Sequence, residues 1–105
     1  MQHLELDMIT ENSGAFILFD NGVKVGKMDI SITGKILTAI HTEVFAGSEG
    51  KGFAKLIFNE MLTYVRQHNM MVIPLCPYVL LQFKKDRELY RDIWKKGSAT
   101  SSQDL

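Results

Sequence analysis

The sequence predicts a single domain of the α/β (α+β) class, with a mixed, mainly antiparallel sheet of about five strands. Four segments with the alternation of β-strands fill the first part of the 105-residue chain. A strand, a glycine-rich loop, a helix and another strand follow between Lys35 and Cys76. This order predicts antiparallel neighbours followed by one βαβ unit.

The first three strands are predicted from alternation and turn signals. Leu4 to Thr10 alternates apolar and acidic side chains, as a half-buried strand does, and Ala15 to Phe19 is a short apolar run. Between this run and the next strand, Asp20–Gly22 reads "DNG", which favours a tight hairpin because Asn and Gly tolerate positive φ. From Val23 to Ile32 the alternation changes phase across Gly26, which indicates a β-bulge.

The βαβ unit is predicted from a long strand, an amphipathic helix and a buried strand. Lys35 to Phe45 is apolar on both faces in its first half and polar at its end, so it should be central in the sheet. Apolar residues recur at helical spacing from Phe53 to a predicted end near His68. Met70 to Cys76 is the buried strand that completes the unit.

After Pro77, the segments "YVLLQF" and "RELYRDIW" predict a C-terminal helix or two short helices. Residues 97–105 are small and polar, so the sequence predicts a domain over residues 1–96 and a flexible tail over 97–105.

Composition narrows the function classes. The 12 Lys and Arg residues balance the 12 Asp and Glu residues, so there is no basic excess to favour nucleic acid as a partner. No apolar run approaches the roughly 20 residues of a membrane helix and no secretory pattern begins the chain, so no membrane partner and a cytoplasmic location are predicted. The lone cysteine, Cys76, agrees with a reducing compartment, and no residue group has zinc-ligand spacing, so no metal site is expected.

The glycine-rich loop before the predicted helix could bind an anion. The N–H groups of a first helical turn have no intrahelical acceptor, and the helix dipole adds positive charge there. Gly50 and Gly52 would let a phosphate approach that backbone; alternatively, Gly47 and Gly50 only make the connection and Gly52 packs the helix against the sheet. The loop is not a P-loop, since Gly52 stands where Ser or Thr is needed after Lys51, nor a dinucleotide loop, since Lys55 fills its last Gly position.

The segment "EGKGFA", Glu49–Ala54, resembles the acetyl-CoA pyrophosphate loop of the GCN5-related N-acetyltransferases, Gln/Arg-x-x-Gly-x-Gly/Ala. Glu49 departs from that pattern, and we expect it to point away from the phosphates. The motifs "HTEV" before the loop and "CPYV" after it extend the resemblance to the small single-domain branch of that family. Members of this branch have about 90 to 110 residues, a single-domain size, and lack the usual N-terminal helices.

The resemblance implies that acetyl-CoA is the acetyl donor and that main-chain groups bind it. The pantetheine arm would lie along Val44, Phe45 and Ala46. The pyrophosphate would bind the N–H groups of the helix start, which belong to Lys51, Gly52, Phe53 and Ala54, with Gly50 in the same loop.

Four side chains are candidates for catalysis, each with a structural alternative. Cys76 either accepts the acetyl group or lines its pocket, or it is a small buried apolar residue. His41 and Glu43 share a strand face and are either a general base or a structural pair. Tyr78 either protonates the departing CoA thiolate or packs the helix against the sheet.

The predicted function is therefore an acetyl-CoA-dependent N-acetyltransferase that acts on a small-molecule or protein amine. The alternatives are a non-catalytic acetyl-CoA- or CoA-binding or regulatory module and, less well supported by the motifs, a protein-interaction domain with an accidental glycine turn. The acceptor amine is not predicted, and the chain is expected to be a monomer or a homodimer.

Overall fold

Five strands and two helices form the fold of residues 1–96, which are the residues described by this computed structural model. The predicted tail over 97–105 lies outside the described residues. In chain order the elements are β1 (Gln2–Met8), β2 (Ser13–Asp20), β3 (Val23–Thr33), β4 (Ile36–Val44), α1 (Phe53–Gln67), β5 (Met71–Pro74) and α2 (Pro77–Lys85).

The strands form one sheet in the order β1-β2-β3-β4-β5. The first four are antiparallel neighbours, and β5 pairs with β4 in parallel through the α1 crossover. Asn21 and Gly22 at the β2–β3 turn have φ of 53° and 83°, as a tight hairpin requires. The predicted mixed sheet and its βαβ unit are confirmed.

Two bulges interrupt the ladders. In the β2–β3 pair, Leu18 faces Gly26 and Phe19 faces Lys24, so Val25 is the extra residue, next to the predicted position. In the β3–β4 pair, Asp29 faces His41 and Ile30 faces Ala39, so Ile40 is a second extra residue. This second bulge was not predicted from the sequence.

Both helices cover the same face of the sheet, and the core lies between the helices and the sheet. Phe58 of α1 is fully buried, and its ring meets Tyr78, Phe83 and Tyr90 edge-on, with centroids 5.7–6.1 Å apart. Edge-to-face aromatic contacts of this kind add to the burial of apolar area. They join α1 to α2 and to the segment after it.

The chain after α2 differs from the prediction. α2 ends at Lys85, and the segment "RELYRDIW" forms turns instead of continuing as a helix. The reason is a backbone bridge to β5: the Val72 N–H donates to Ile93 O (2.7 Å), and the Lys95 N–H donates to Val72 O (2.9 Å). This extended pairing is incompatible with a helix through Trp94, and it buries Ile93 against the core.

Within residues 1–96, no helix has the length and apolar character needed to cross a membrane.

Candidate functional site

A cleft opens where β4 and β5 diverge. The two strands pair from Ile36 and Met71 to Ala39 and Pro74. One further bond, from the Cys76 N–H to Ala39 O (2.7 Å), closes the pairing. Beyond this point β4 continues to Val44 with β3 as its strand neighbour on one side and no strand of the described residues on the other.

The main-chain groups of β4 that face this cleft follow from the ladder pattern. The Phe45 N–H donates to Val25 O (2.9 Å), which makes the facing residues Gly26 and Val44 a non-hydrogen-bonded pair. The N–H and C=O of Val44 therefore point away from β3 and into the cleft. Because the two pair types alternate along an antiparallel ladder, the same holds for Thr42.

The predicted cofactor residues Val44, Phe45 and Ala46 do not contribute equally to that open edge. Phe45 uses its N–H on β3, and its carbonyl accepts the Ser48 N–H at 3.0 Å. The N–H and the C=O of Phe45 are thus both already hydrogen-bonded within the protein. Val44 has the free cleft-facing groups, and Ala46 follows at the start of the loop.

The start of α1 is uncapped. Gly52 precedes the helix at φ 78°, no side chain caps it, and the first turn holds no acidic residue. The first helical bond runs from the Leu56 N–H to Gly52 O (3.3 Å). The N–H groups of Phe53 and Ala54 therefore have no acceptor among the described residues, and the helix dipole makes this end partly positive.

The loop glycines are required for backbone conformation. Gly47, Gly50 and Gly52 have φ of 90°, 78° and 78°, which side chains rarely adopt. A Cβ at any of the three would meet no protein atom within 4 Å. The alternative that Gly52 packs the helix against the sheet is therefore wrong, and the space beside the helix start is open to a ligand.

Glu49, which departs from the resembled motif, is held within the loop. Its Oε1 accepts the Gly47 N–H at 2.9 Å. The carboxylate is therefore hydrogen-bonded to the residue two positions before it, and not to an N–H group of the helix start. Lys51 is exposed in the same loop and adds a cation beside the free N–H groups.

Cys76 lies at the base of the cleft. It is 1% exposed, packs in the core cluster and precedes α2, which begins with Pro77. Its Sγ is 3.2 Å from Thr42 Oγ1, and this contact joins the residue before α2 to β4. Thr42 was not among the site residues predicted from the sequence.

The bulge at Ile40 decides which face of the sheet each β4 side chain occupies. Strict alternation from the buried Leu37 and Ala39 would place His41 and Glu43 on the same face. The extra residue reverses this order, so that Thr42 takes the helix-covered face. The change of phase in the apolar pattern of β4 is short and ambiguous. For this reason the sequence alone did not reveal Thr42 as a site residue.

His41 and Glu43 consequently lie on the exposed face of the sheet. Their side chains are 57% and 47% exposed, with His41 Nε2 4.0 Å from Glu43 Oε1. They face Asp29 and Lys27 across the ladder, and that pair forms an ion pair of 3.2 Å. The sheet thus separates His41 and Glu43 from Cys76.

Tyr78 lies in the first turn of α2, partly buried against the core, with its ring edge-on to Phe58 at 6.1 Å. Burial raises the pKa of its phenol, and the nearby Cys76 and Tyr90 raise it further. The phenol is therefore protonated at neutral pH and able to donate a proton. No group of three or more His, Cys, Asp and Glu among residues 1–96 could hold a metal ion.

Comparison with known proteins places these features in context. A family model described as GCN5-related N-acetyl-transferase matches residues 15–93, which include the cleft, the loop and both helices. No curated protein sequence matches the chain.

Three solved structures share the fold. A ribosomal-protein-alanine N-acetyltransferase from Brucella melitensis biovar Abortus has a TM-score of 0.66 and 14% identity, over 93% of this chain and 94% of that one. A GCN5-like putative N-acetyltransferase from Staphylococcus aureus has a TM-score of 0.63 and 20% identity, again over 93% and 94%. The third, AAC(6')-Iy in complex with the bisubstrate analog CoA-S-monomethyl-acetylneamine, has a TM-score of 0.52 and 14% identity, over 83% of this chain and 65% of that one.

Proposed function

The chain belongs to the GCN5-related N-acetyltransferase family, and from this premise we propose that it binds acetyl-CoA between β4 and β5 and transfers the acetyl group to an amine. Acetyl-CoA is the donor that this family uses. The observation that carries the proposal is the open edge of β4, which leads from the uncapped start of α1 to Cys76 and Thr42. One extended ligand can contact all three features.

The loop and the open edge would bind the two ends of the donor by main-chain groups. The pyrophosphate would accept hydrogen bonds from the N–H groups of Lys51, Gly52, Phe53 and Ala54, helped by the positive helix end. Gly50 keeps the approach free of side-chain atoms. The pantetheine amides would pair with Val44 and with Ala46, and the occupied main chain of Phe45 would fix the turn between them.

The chemistry needs a base for the amine and an acid for the leaving group. The amine nitrogen forms a bond to the thioester carbonyl carbon and gives its proton to the base, while the carbon–sulfur bond breaks. We assign the base to His41 or Glu43, which lie on the exposed face of the sheet. We assign the acid to Tyr78, whose raised pKa keeps the phenol protonated until the CoA thiolate takes that proton.

Cys76 has two roles under this proposal. Its thiolate could attack the thioester carbonyl, release CoA and carry the acetyl group to the amine as a second thioester. Otherwise the thiol lines the acetyl pocket. The burial of Cys76 fits the lining role, and its contact with the Thr42 hydroxyl, which could orient the sulfur, fits the covalent one.

The alternative, a non-catalytic acetyl-CoA-binding module, is favoured by one specific observation. The polar side chain in contact with Cys76 is the Thr42 hydroxyl, which is not a base at neutral pH. The two candidate bases are on the other face of the sheet. A binding module would need the loop and the open edge but neither base.

Calorimetry followed by turnover tests the proposal. We expect saturable heat with acetyl-CoA and with CoA, and then release of CoA thiol in the presence of an amine panel. The panel should include neamine and, as a second acceptor, a peptide that begins with alanine, because the names of the similar structures point to these two acceptors.

Variants separate the three interpretations. His41→Ala and Glu43→Ala should bind acetyl-CoA normally and lose turnover singly or together, whereas Glu11→Ala, an exposed control in the turn between β1 and β2, should change neither. Binding without turnover on any amine would favour the binding module. Absence of saturable heat would contradict both and leave a protein-interaction domain.

A further inference from the structure

The segment after α2 forms a second pocket that the proposed acetyl transfer does not use. It is a solvent-open cavity of about 240 Å³ lined by Arg87, Glu88, Arg91, Trp94 and Lys96. Three cations, one carboxylate and one indole therefore line a single cavity.

The pocket lies in the most basic part of the chain. Residues 84–96 carry six of the 12 Lys and Arg side chains of the protein but only three of its 12 carboxylates. The balanced charge of the whole molecule conceals this local excess. A concentration of like charges in a concave surface attracts anions.

The three carboxylates of this segment are already bound within the fold. Asp86 accepts the Leu89 N–H, Glu88 binds Arg91 at 2.6 Å, and Asp92 binds Arg66 at 3.0 Å. Among residues 1–96, Arg87 and Lys96 have no carboxylate at ion-pair distance. The pocket therefore has positive charge that the described fold does not neutralise.

Trp94 holds these cations in place. The Arg87 guanidinium lies 5.4 Å and the Lys96 ammonium 4.4 Å from its ring centroid, both within cation–π range. The indole is itself fixed, because its neighbours Ile93 and Lys95 are hydrogen-bonded to Val72 of β5. Cations that are ordered before binding lose less conformational entropy when a ligand arrives.

Arg91 keeps free donors for a ligand. Both of its contacts with Glu88 use the single nitrogen Nη2, at 2.7 and 2.6 Å. Its Nη1 and Nε have no hydrogen-bond partner among the described residues. The paired donor edge of a guanidinium is Nε with Nη2, as in the contact of Arg66 with Asp92, so Arg91 can still donate single N–H groups from Nη1 or Nε to an oxyanion.

The pocket is remote from the glycine loop. Arg66, near the end of α1, binds Leu89 O and Asp92, which adjoin the pocket residues. Phe53 at the start of α1 adjoins the loop. At the helical rise per residue, these two ends are on the order of 20 Å apart, so one phosphate group cannot contact both.

We propose that this pocket binds the phosphate group of a small phosphorylated molecule. Three arginine and lysine side chains, of which Arg87 and Lys96 have no ion-pair partner among residues 1–96, match a tetrahedral oxyanion. The volume is below the roughly 300 to 1,000 Å³ of a typical pocket for a whole organic ligand, so the phosphate enters and the rest of the molecule remains largely outside.

Tryptophan fluorescence tests this proposal directly, because Trp94 is the one tryptophan of the chain. The emission should be titrated with inorganic phosphate and with ribose 5-phosphate, with sodium chloride at equal ionic strength as the reference. We expect a saturable change with both phosphates and not with chloride. A response to ribose 5-phosphate alone would identify a phosphate ester as the ligand, and equal affinity would identify the phosphate group itself.

Variants locate the response. Arg87→Gln and Lys96→Gln should each weaken phosphate binding by about tenfold, the loss expected for one charge-assisted hydrogen bond. Lys24→Gln removes an equal charge elsewhere and should leave the affinity unchanged. The pocket is excluded if chloride gives the same signal, if a short single-stranded DNA binds and the phosphates do not, or if Lys51→Gln in the glycine loop removes the response while Arg87→Gln retains it.

Discussion

The thiol of Cys76 and the hydroxyl of Thr42 meet where β4 and β5 separate, at the base of the proposed acetyl-CoA cleft. A buried thiol that packs against the core is chemically inert in most proteins. Here the contact with Thr42 lies where two strands diverge, so the sulfur borders the proposed cleft although it is buried in the core. This position makes a covalent role testable at a single residue.

If Cys76 accepts the acetyl group, incubation with acetyl-CoA and no amine should add one acetyl group to the protein, as read by intact-mass spectrometry. Cys76→Ala should show no gain, and Thr42→Val, which keeps the side-chain shape, should gain it more slowly because the sulfur loses its polar neighbour. An unmodified wild-type protein that still turns over would leave Cys76 as a pocket residue.

Gly52 combines a strained conformation with a proposed phosphate contact, and the two effects can be separated. Gly52→Ala should lower the free energy of unfolding by about 1 kcal/mol, because a side chain at positive φ is disfavoured. Gly34, in the β3–β4 turn, has φ 61° and equally open surroundings. Gly34→Ala should therefore lose similar stability in urea unfolding.

Calorimetry with acetyl-CoA then distinguishes these two variants. Only Gly52→Ala should bind more weakly, by about tenfold if one main-chain hydrogen bond to the pyrophosphate is lost. Equal affinities for the two variants would show that the start of α1 does not contact the phosphates.

At the scale of elements, the bulge at Ile40 and the divergence of β5 act together. The bulge rotates the end of β4 so that Thr42 faces the helices, and the departure of β5 leaves the main chain of Val44 without a strand partner. Neither element would form the site alone. A straight β4 would place His41, and not Thr42, beside Cys76.

The ion pair between Arg66 of α1 and Asp92, in the segment after α2, should make the free energy of unfolding depend on pH. Hydrogen bonds from Arg66 hold the pKa of Asp92 below its usual value, although burial opposes this. A carboxyl group with a lowered pKa in the folded state stabilises the fold above its unfolded pKa, near 3.9, and loses that contribution as the pH falls further.

Asp92→Asn should therefore lower the free energy of unfolding at pH 7 by less than about 1 kcal/mol, since this pair is largely exposed and screened by solvent. The difference from the wild type should be smaller near pH 3, because the contribution of the ion pair is lost progressively below the unfolded pKa of Asp92. Urea unfolding at both pH values measures this. A deficit of the variant that persists unchanged at low pH would point to a cause other than the ion pair.

At the scale of the whole molecule, one aromatic cluster joins both helices and the final segment to the sheet. Phe58 is its centre, in contact with Tyr78, Phe83 and Tyr90. Phe83 in turn contacts Trp94, which borders the proposed phosphate pocket. The core therefore supports the cleft on one side and the second pocket on the other.

Phe58→Ala should cost about 3 to 5 kcal/mol by creating a cavity in this cluster, which is much of the roughly 5 to 15 kcal/mol of a typical domain. Thermal unfolding should show a large fall in melting temperature or no cooperative transition. Leu81→Ala in α2, where the side chain is 52% exposed, is the matched control and should change stability little. Similar losses for both variants would contradict a core centred on Phe58.

The sequence by itself determined the order and type of most elements, because their signals are local. Each of these signals depends on neighbouring residues. They are the alternation of β1, the Asn21–Gly22 turn, the apolar face of α1 and the phase change near Gly26. The family resemblance rested on the glycine loop and two flanking motifs, which are also local. The family and the mixed sheet were therefore predictable from the chain alone.

The tertiary structure decided what depends on distant residues. α2 ends early because Ile93 and Lys95 pair with Val72, a contact that no local pattern encodes. The bulge at Ile40 exists through the register of β4 on β3, and it alone exchanges the faces of His41 and Thr42. The pocket around Trp94 likewise forms when turns bring scattered cations to one indole, since side-chain proximity is set by packing and not by sequence order.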